Sequence, residues 1–306
     1  MIRFLLARLA ASVLVVFLVA SASFLLLHLA PGGPFTSDAR RSEAVQAAME
    51  ERYGLRDPLW QQYGRAMAAI AHGDLGVSMK RDISVNQLIR EHGPTSAILG
   101  LIALLTAAML GTLIGVVAAW RRNTWVDYAL MSGALVGISI PAFVLGPLLI
   151  AGLSIHLGWL PPARILGPSS YILPGITLGV VYLGTIARLA RGGMLDVLGS
   201  DFIRTARAKG LPERSVVGKH ALRVGIVPVV TYLGPAAAGL ISGSFVVERI
   251  FQIPGLGTYF ITSITDRDYP VLTGMFVFYA VLLVLLNLAV DLAYGVLDPR
   301  IREARR

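Results

Sequence analysis

Eight neutral polar side chains sit inside or at the edges of long apolar runs of this sequence: Ser139, Thr177, Tyr182, Thr185, Thr231, Tyr232, Ser242 and Ser244. A hydroxyl in such a place can hydrogen-bond a passing solute, or it can donate to a carbonyl one turn back on its own helix. The first use suits a path for a neutral, amide-rich solute. No Asp, Glu, Lys or Arg falls at the centre of these runs. A path for a bare cation, or a proton-coupled carrier, ordinarily carries one. Other chemistry is poorly provided for. The five histidines (His28, His72, His92, His156 and His220) are scattered without metal-ligand spacing. There is no cysteine, which removes thiol catalysis, thiolate metal sites and disulfides. A phosphate-binding loop needs G-x-x-x-x-G-K-[ST]; Gly218-Lys219 is followed by His220 and preceded by no glycine-rich run. No catalytic residue, metal site or cofactor is expected.

The elements that must position those hydroxyls are set by composition. Hydrophobic residues make up 55% of the 306 and charged residues 15%, against roughly 25% charged in a soluble domain. The apolar residues come in uncharged blocks: Leu9–Ala30, Ala97–Trp120, Tyr128–Ile150, Tyr171–Ala187, Val224–Val247 and Tyr269–Val290. About 20 apolar residues let a helix cross a hydrocarbon core of roughly 30 Å. Barrel strands would instead alternate apolar and polar residues, and these blocks do not. The expected fold is an all-α integral membrane protein with six transmembrane helices. The first block is longer than the apolar core of a signal peptide and ends in Pro31-Gly32-Gly33-Pro34 without a clear cleavage site, so it is taken as the first span.

Basic residues near span ends mark the cytoplasmic side. Sixteen fall on the side of the termini, eight of them between Arg188 and Arg223, while the short segments opposite hold three: Arg164, Arg249 and Arg267. Both termini are therefore expected in the cytoplasm. Segment 31–96 carries eight basic and eight acidic residues, and loops of that length cross largely regardless of charge. The net charge of +9 then reflects topology and anionic membrane lipid, and nucleic acid is not an expected partner. Three divisions follow: 1–30 as N-terminus and first span, 31–96 as an external helical loop, and 97–306 as the core with spans two to six. In the external loop, Ser42–Tyr53 reads as a helix with Ser42 as N-cap. Pro58–Ala71 reads as a second with Pro in its first turn, and Val85–Glu91 as a third.

The most informative stretch is the loop 188–223. Ser200–Gly210 (SDFIRTARAKG) reads as a complete short helix. Ser200 or Asp201 can cap its start, Phe202, Ile203 and Ala206 share a face, and Gly210 supplies the stop. Pro212 opens a second helix, Glu213–Leu222. Such a unit can be a docking element, or an amphipathic helix that lies on the membrane. In the spans, Gly111 and Gly115 have the spacing that permits close helix approach. Gly and Pro concentrate in the third to fifth spans. Beyond the fifth span, Pro254-Gly255-Leu256-Gly257 forces a turn, so Glu248–Gly257 caps or re-enters a pore mouth, or is a surface turn.

Phe202–Pro212, FIRTARAKGLP, resembles the cytoplasmic loop signature of ABC importer permeases of the peptide/nickel type. Similar elements follow in family order: LAPGGPFT at Leu29–Thr36, YGLRDPLWQQY at Tyr53–Tyr63, HGDLGVS at His72–Ser78 and NTWVDY at Asn123–Tyr128. Then come RGGMLDVL at Arg191–Leu198, VVERIFQIPGLG at Val246–Gly257 and DLAYGVLDPRIR at Asp291–Arg302. LAPGGPFT and HGDLGVSMKRDISVNQLI look most like the first permease subunit of oligopeptide importers. The broader importer motif, Glu-Ala-Ala-x3-Gly-x9-Ile-x-Leu-Pro, is not kept. Arg204-Thr205-Ala206 stand at its start and His220, Leu222 and Arg223 at its end, changes that peptide-type permeases share.

The resemblance implies a type I importer permease fold in a bacterial inner membrane. Phe202, Ile203, Arg204, Thr205, Ala206, Arg207, Ala208, Lys209 and Gly210 would form the coupling helix that docks on an ATPase subunit. Glu248, Phe251, Pro254, Gly255 and Gly257 become candidates for an external gate. The implied partners are a second homologous permease, two ATPase chains, an external substrate-binding protein and a peptide. The same machine for dipeptides, nickel or glutathione is the nearest alternative. A stand-alone secondary transporter, which should show inverted repeats and intramembrane charges, and a membrane-anchored enzyme are the alternatives from other classes.

Overall fold

The computed structural model describes residues 2–29, 43–241 and 245–297. Ser42, Ser242, Ser244, most of LAPGGPFT and the end of DLAYGVLDPRIR lie outside these residues. Among those described, regular structure is helical apart from one antiparallel bridge between Val77 and Ser84.

Helix α1 (Ile2–Leu29) is the first apolar run. α2 (Glu43–Arg52) and α3 (Leu59–Ala71) follow. Pro58 stands just before α3 as its N-cap, one place earlier than expected. α4 (Val85–Trp120) is a single helix of 36 residues. The expected short helix at Val85–Glu91 and the second span are thus one element. Pro94 lies within it, and removes one backbone donor without ending the helix, as prolines in membrane helices can.

α5 (Trp125–Ser139) and α6 (Ala142–Leu149), extended by a π-helical segment Ile150–His156, replace the single third span. The two parts meet at 105°. Pro141 causes this: the residue before a proline is driven out of the α region, and Ile140 sits at φ −84°, ψ 116°. α7 (Ile172–Leu198) runs on past Ala187 into the basic loop. α8 is Asp201–Ala208. α9 (Glu213–Ser215), a π-helical segment Val216–Ala221 and α10 (Leu222–Gly225) form the second loop helix. The backbone breaks again at Ile226, just before Pro228, so the fifth run begins as α10 and continues as α11 (Val227–Ile241). α12 (Phe245–Ile250), α13 (Leu256–Asp266) and α14 (Tyr269–Leu297) are the last of the described helices. Among the described residues, four stretches are each long and apolar enough to span a membrane: Leu6–Leu29, α4, Pro168–Leu198 and Tyr269–Ala289. Counting each bent pair as one span gives six.

The chain divides into two compact units, residues 1–95 with 254–288 and residues 96–253 with 289–306. In the first, Val85 and Leu88 of α4 pack with Leu256, Val271 and Met275. The HGDLGVS turn is tied down by Asp268, which is 2% exposed. Its carboxylate accepts the Ser78 hydroxyl at 2.5 Å and the Met79 N–H at 3.1 Å. Replacing Asp268 by Ala strands both buried donors, at about 1–3 kcal/mol each. A lower unfolding temperature of the purified chain is expected, with a smaller drop for Asp268→Asn; an unchanged midpoint for Asp268→Ala would show that the carboxylate does not hold the turn.

The second unit is built around α7. Leu173 and Leu178 of α7 join Leu99, Ala103, Leu240, Val247 and Phe251 in one core. Lipid is as apolar as leucine, so association in a membrane depends on close packing, with small residues at the contacts. A Cβ added to Gly115 of α4 would fall 2.4 Å from the Ala187 carbonyl oxygen, and one on Gly184 2.5 Å from that of Ala134. Gly111 likewise faces Leu183 and Ile186.

Candidate coupling loop and solute path

α8 is short and two-sided. Ile203 and Ala206, three residues apart, are 0% and 7% exposed. They sit in a cluster with Ala119, Met194, Val216, Val217 and Ala221. The C-terminal ends of α4 and α7 and the 216–221 segment therefore form a seat for this helix. Phe202 does not share that face: it is 47% exposed. It lies about 100° around the helix from Ile203, at the edge of the buried arc. Arg204, Thr205, Arg207, Ala208, Lys209 and Gly210 are exposed as well.

The ends of α8 follow from its sequence. Ser200 occupies the N-cap position in an extended conformation, but its hydroxyl donates back to the Val197 carbonyl at 2.6 Å and makes no cap bond. Asp201 pairs with Arg204 in the first turn. Gly210 takes φ +74°, where a side chain would be strained. Its N–H donates to the Arg207 carbonyl at 2.9 Å. The Arg207 guanidinium then grips Glu213 with two bonds, 3.1 and 2.7 Å. That fork braces the turn Lys209–Pro212. The result is a short knob with an apolar foot and an exposed face that carries Arg204, Arg207 and Lys209, the first two paired with Asp201 and Glu213.

The path candidates are distributed over three helices. Ser139 is exposed and its hydroxyl donates to Leu135 O at 3.0 Å. Thr231 is exposed and donates to Val227 O at 2.9 Å. Thr177 is fully buried, with its hydroxyl on Leu173 O at 2.8 Å. All three thus make the bond to their own helix. Thr185 is half-buried. The structure brings together Tyr182 of α7 and Tyr232 of α11, whose ring centroids are 6.4 Å apart. Both line a cluster with Ile186 and Val229.

The external-gate candidates fall in different units. In the second unit Glu248 is fully buried and accepts the Ser96 hydroxyl at 2.9 Å. Phe251 is 1% exposed in the α7 core. The Ile253 N–H closes back on the Glu248 carbonyl at 2.8 Å, and Gln252 takes φ 52° to allow it. In the first unit Pro254 is exposed, with its carbonyl 3.1 Å from His92 Nδ1. Gly255 is the N-cap of α13, and Gly257 is buried in its first turn.

Two charged residues escaped the sequence reading. Asp127, in the first turn of α5, is 2% exposed and receives Arg191 of α7 through Nε and Nη2, both at 2.7 Å. They belong to NTWVDY and RGGMLDVL, two elements already noted separately; opposite charges at the ends of adjacent runs were the available signal.

Residues 111–303 match the family described as binding-protein-dependent transport system inner membrane component, and residues 1–97 match its N-terminal companion. Among curated proteins, the dipeptide transport system permease protein DppB of Bacillus subtilis is 44% identical over 99% of this chain and 98% of its own length. The oligopeptide transport system permease protein OppB of Escherichia coli is 42% identical over 99% of this chain and all of its own. Among solved structures, a chain of the MetNI methionine ABC transporter in inward-facing conformations aligns with a TM-score of 0.55. It shares 16% identity and covers 69% of this chain and 97% of that one, a likeness of fold. The chain belongs to the inner membrane components of binding-protein-dependent transport systems, with the type I ABC importer permease fold.

Proposed function

We propose that this chain is the permease subunit of an ATP-driven peptide importer, with oligopeptides as cargo. It forms half of the translocation path, with a second homologous permease as the other half. The observation that carries the reading is the near-complete alignment with peptide-system permeases, joined to a knob, α8, that has an apolar foot and an exposed face carrying Arg204, Arg207 and Lys209. Two cytoplasmic ATPase chains supply the energy through α8, and an external substrate-binding protein delivers the peptide. Both termini and the 188–223 loop lie in the cytoplasm, on the side richer in Lys and Arg. Nucleotide hydrolysis belongs to the partner chains, because no phosphate-binding loop is encoded here. Closure of the ATPases would move α8, and the spans on either side of it would rock between inward- and outward-open states. The neutral side chains Ser139, Thr177, Tyr182, Thr185, Thr231, Tyr232, Ser242 and Ser244 are proposed to border the path. Glu248, Phe251, Pro254, Gly255 and Gly257 are proposed for its external gate.

Uptake of a labelled tetrapeptide, with labelled dipeptide and nickel in parallel, tests this in cells with and without the chain. Selective loss of tetrapeptide uptake is expected. Loss of dipeptide or nickel uptake alone would keep the machine and change its cargo. No loss of any, in cells lacking a redundant importer, would overturn the reading.

A further inference from the structure

We propose that Asp127 and Arg191 form a positioning clasp that makes α8 and the spans move as one body, an inference that rests on the importer reading above. The geometry is that of a built contact. Arg191 meets the carboxylate as a two-pronged fork, with Nε on Oδ1 and Nη2 on Oδ2. Oδ2 also accepts the Asn123 N–H at 3.0 Å, and Asn123 takes φ 60° in the turn before α5. One carboxylate thus fixes both the entry turn of α5 and a side chain of α7. The Arg191 side chain is 30% exposed, so the pair sits at the rim of the packed core.

Its place along α7 gives the pair a consequence. Within the single turn Arg191–Met194, α7 touches three elements. Arg191 holds α5. A Cβ on Gly193 would meet Gly225 O of α10 at 2.3 Å, so α10 lies directly against it. Met194 is fully buried in the cluster that seats Ile203 and Ala206 of α8. A displacement of α8 therefore enters α7 at this turn and passes to α5 through the clasp and through the packing of the two helices at Gly184 on Ala134 and Gly137 on Val180. Of those, the clasp is directional and strong, because a planar guanidinium on a carboxylate resists sliding where apolar packing does not. With the clasp cut, α8 would still accept the ATPases, but its motion would be partly lost before reaching α5 and the bend at Pro141. Asp127 and Arg191 are thus positioning residues, acting through the helices they join.

The test uses the assembled importer in lipid vesicles, reading ATP hydrolysed per peptide imported. Asp127→Asn and Arg191→Gln are expected to raise that ratio roughly two- to thirtyfold, the range for residues that carry coupling between sites. Assembly and basal hydrolysis should be kept, and the charge-exchanged pair Asp127→Arg with Arg191→Asp should bring the ratio part of the way back. A merely structural role would lower transport and hydrolysis together and leave the ratio unchanged; that result overturns the proposal. Should the neutral variants fail to assemble, Arg191→Lys decides: it keeps the charge and loses the fork, so a raised ratio supports the clasp and an unchanged one overturns it. Failure of the unaltered complex to import peptide would count against the cargo instead, and the same ratio can then be read with whatever solute it carries.

Discussion

Reversing the outer face of α8, with Phe202→Asp and Lys209→Glu, is expected to abolish uptake while the chain still inserts in the membrane. Phe202 is a large apolar side chain on that face, 47% exposed, with Thr205 one turn and Lys209 two turns further along the same side. An exposed aromatic anchor is the kind of residue on which an interface concentrates its energy, about 2–4 kcal/mol for a single truncation. At 1.4 kcal/mol per tenfold, docking of the ATPases would weaken by roughly 30-fold or more. Co-purification of the ATPases with the chain reads this directly, and uptake should fall in parallel. Neither substitution touches the foot of the helix, Ile203 and Ala206, so the fold should survive. Removal of 202–210 should have the same effect on transport. Full uptake by either variant would mean that force enters the permease elsewhere.

The adjacent glycines of RGGMLDVL should behave in opposite ways. A Cβ on Gly193 would lie 2.3 Å from Gly225 O and 3.2 Å from Pro228 Cγ, whereas one on Gly192 meets nothing within 4 Å. The obstacle at Gly193 is backbone and cannot rotate aside, so Gly193→Leu forces α7 and α10 apart. Overpacking of this kind costs about 1–3 kcal/mol and can exceed it. Loss of folded protein, read by detergent-extractable yield and unfolding temperature, is expected. Gly192→Ala removes a poor helix former at an exposed position and should be neutral or stabilising by up to about 1 kcal/mol. Equal tolerance of the two would show that α7 and α10 are not locked at this point.

The runs that span the membrane were legible because lipid demands length and uncharged composition and little else. Places where the backbone departs from a simple helix were harder. Pro94 and Pro141 look alike in the sequence, yet α4 continues through the first and the third span turns by 105° at the second. The difference lies in what surrounds each proline, which spacing does not encode. The short loop helix was legible from its flanking Ser200 and Gly210, but its orientation was not. Helical spacing puts Phe202 on one face with Ile203 and Ala206, and only the seat formed by Met194, Val216 and Val217 decides which two turn inward. Asp127 and Arg191 are 64 residues apart, and opposite charge at the ends of adjacent runs was the one sign that they pair. Ser139, Thr177 and Thr231 were visible as polar residues, whereas the carbonyls that satisfy them depend on where their helices run.

The unbroken course of α4 has one more consequence. At 1.5 Å per residue its 36 residues make a rod of about 54 Å, well beyond the roughly 30 Å of hydrocarbon. One helix must therefore live in two solvents. Gln87, Arg90, Glu91 and His92 lie before Pro94, and from Ala97 to Trp120 no charged residue occurs. No turn, cap or interruption marks the passage. On this element the shoreline between water and lipid is drawn by side chains alone, across a backbone that crosses it without changing form.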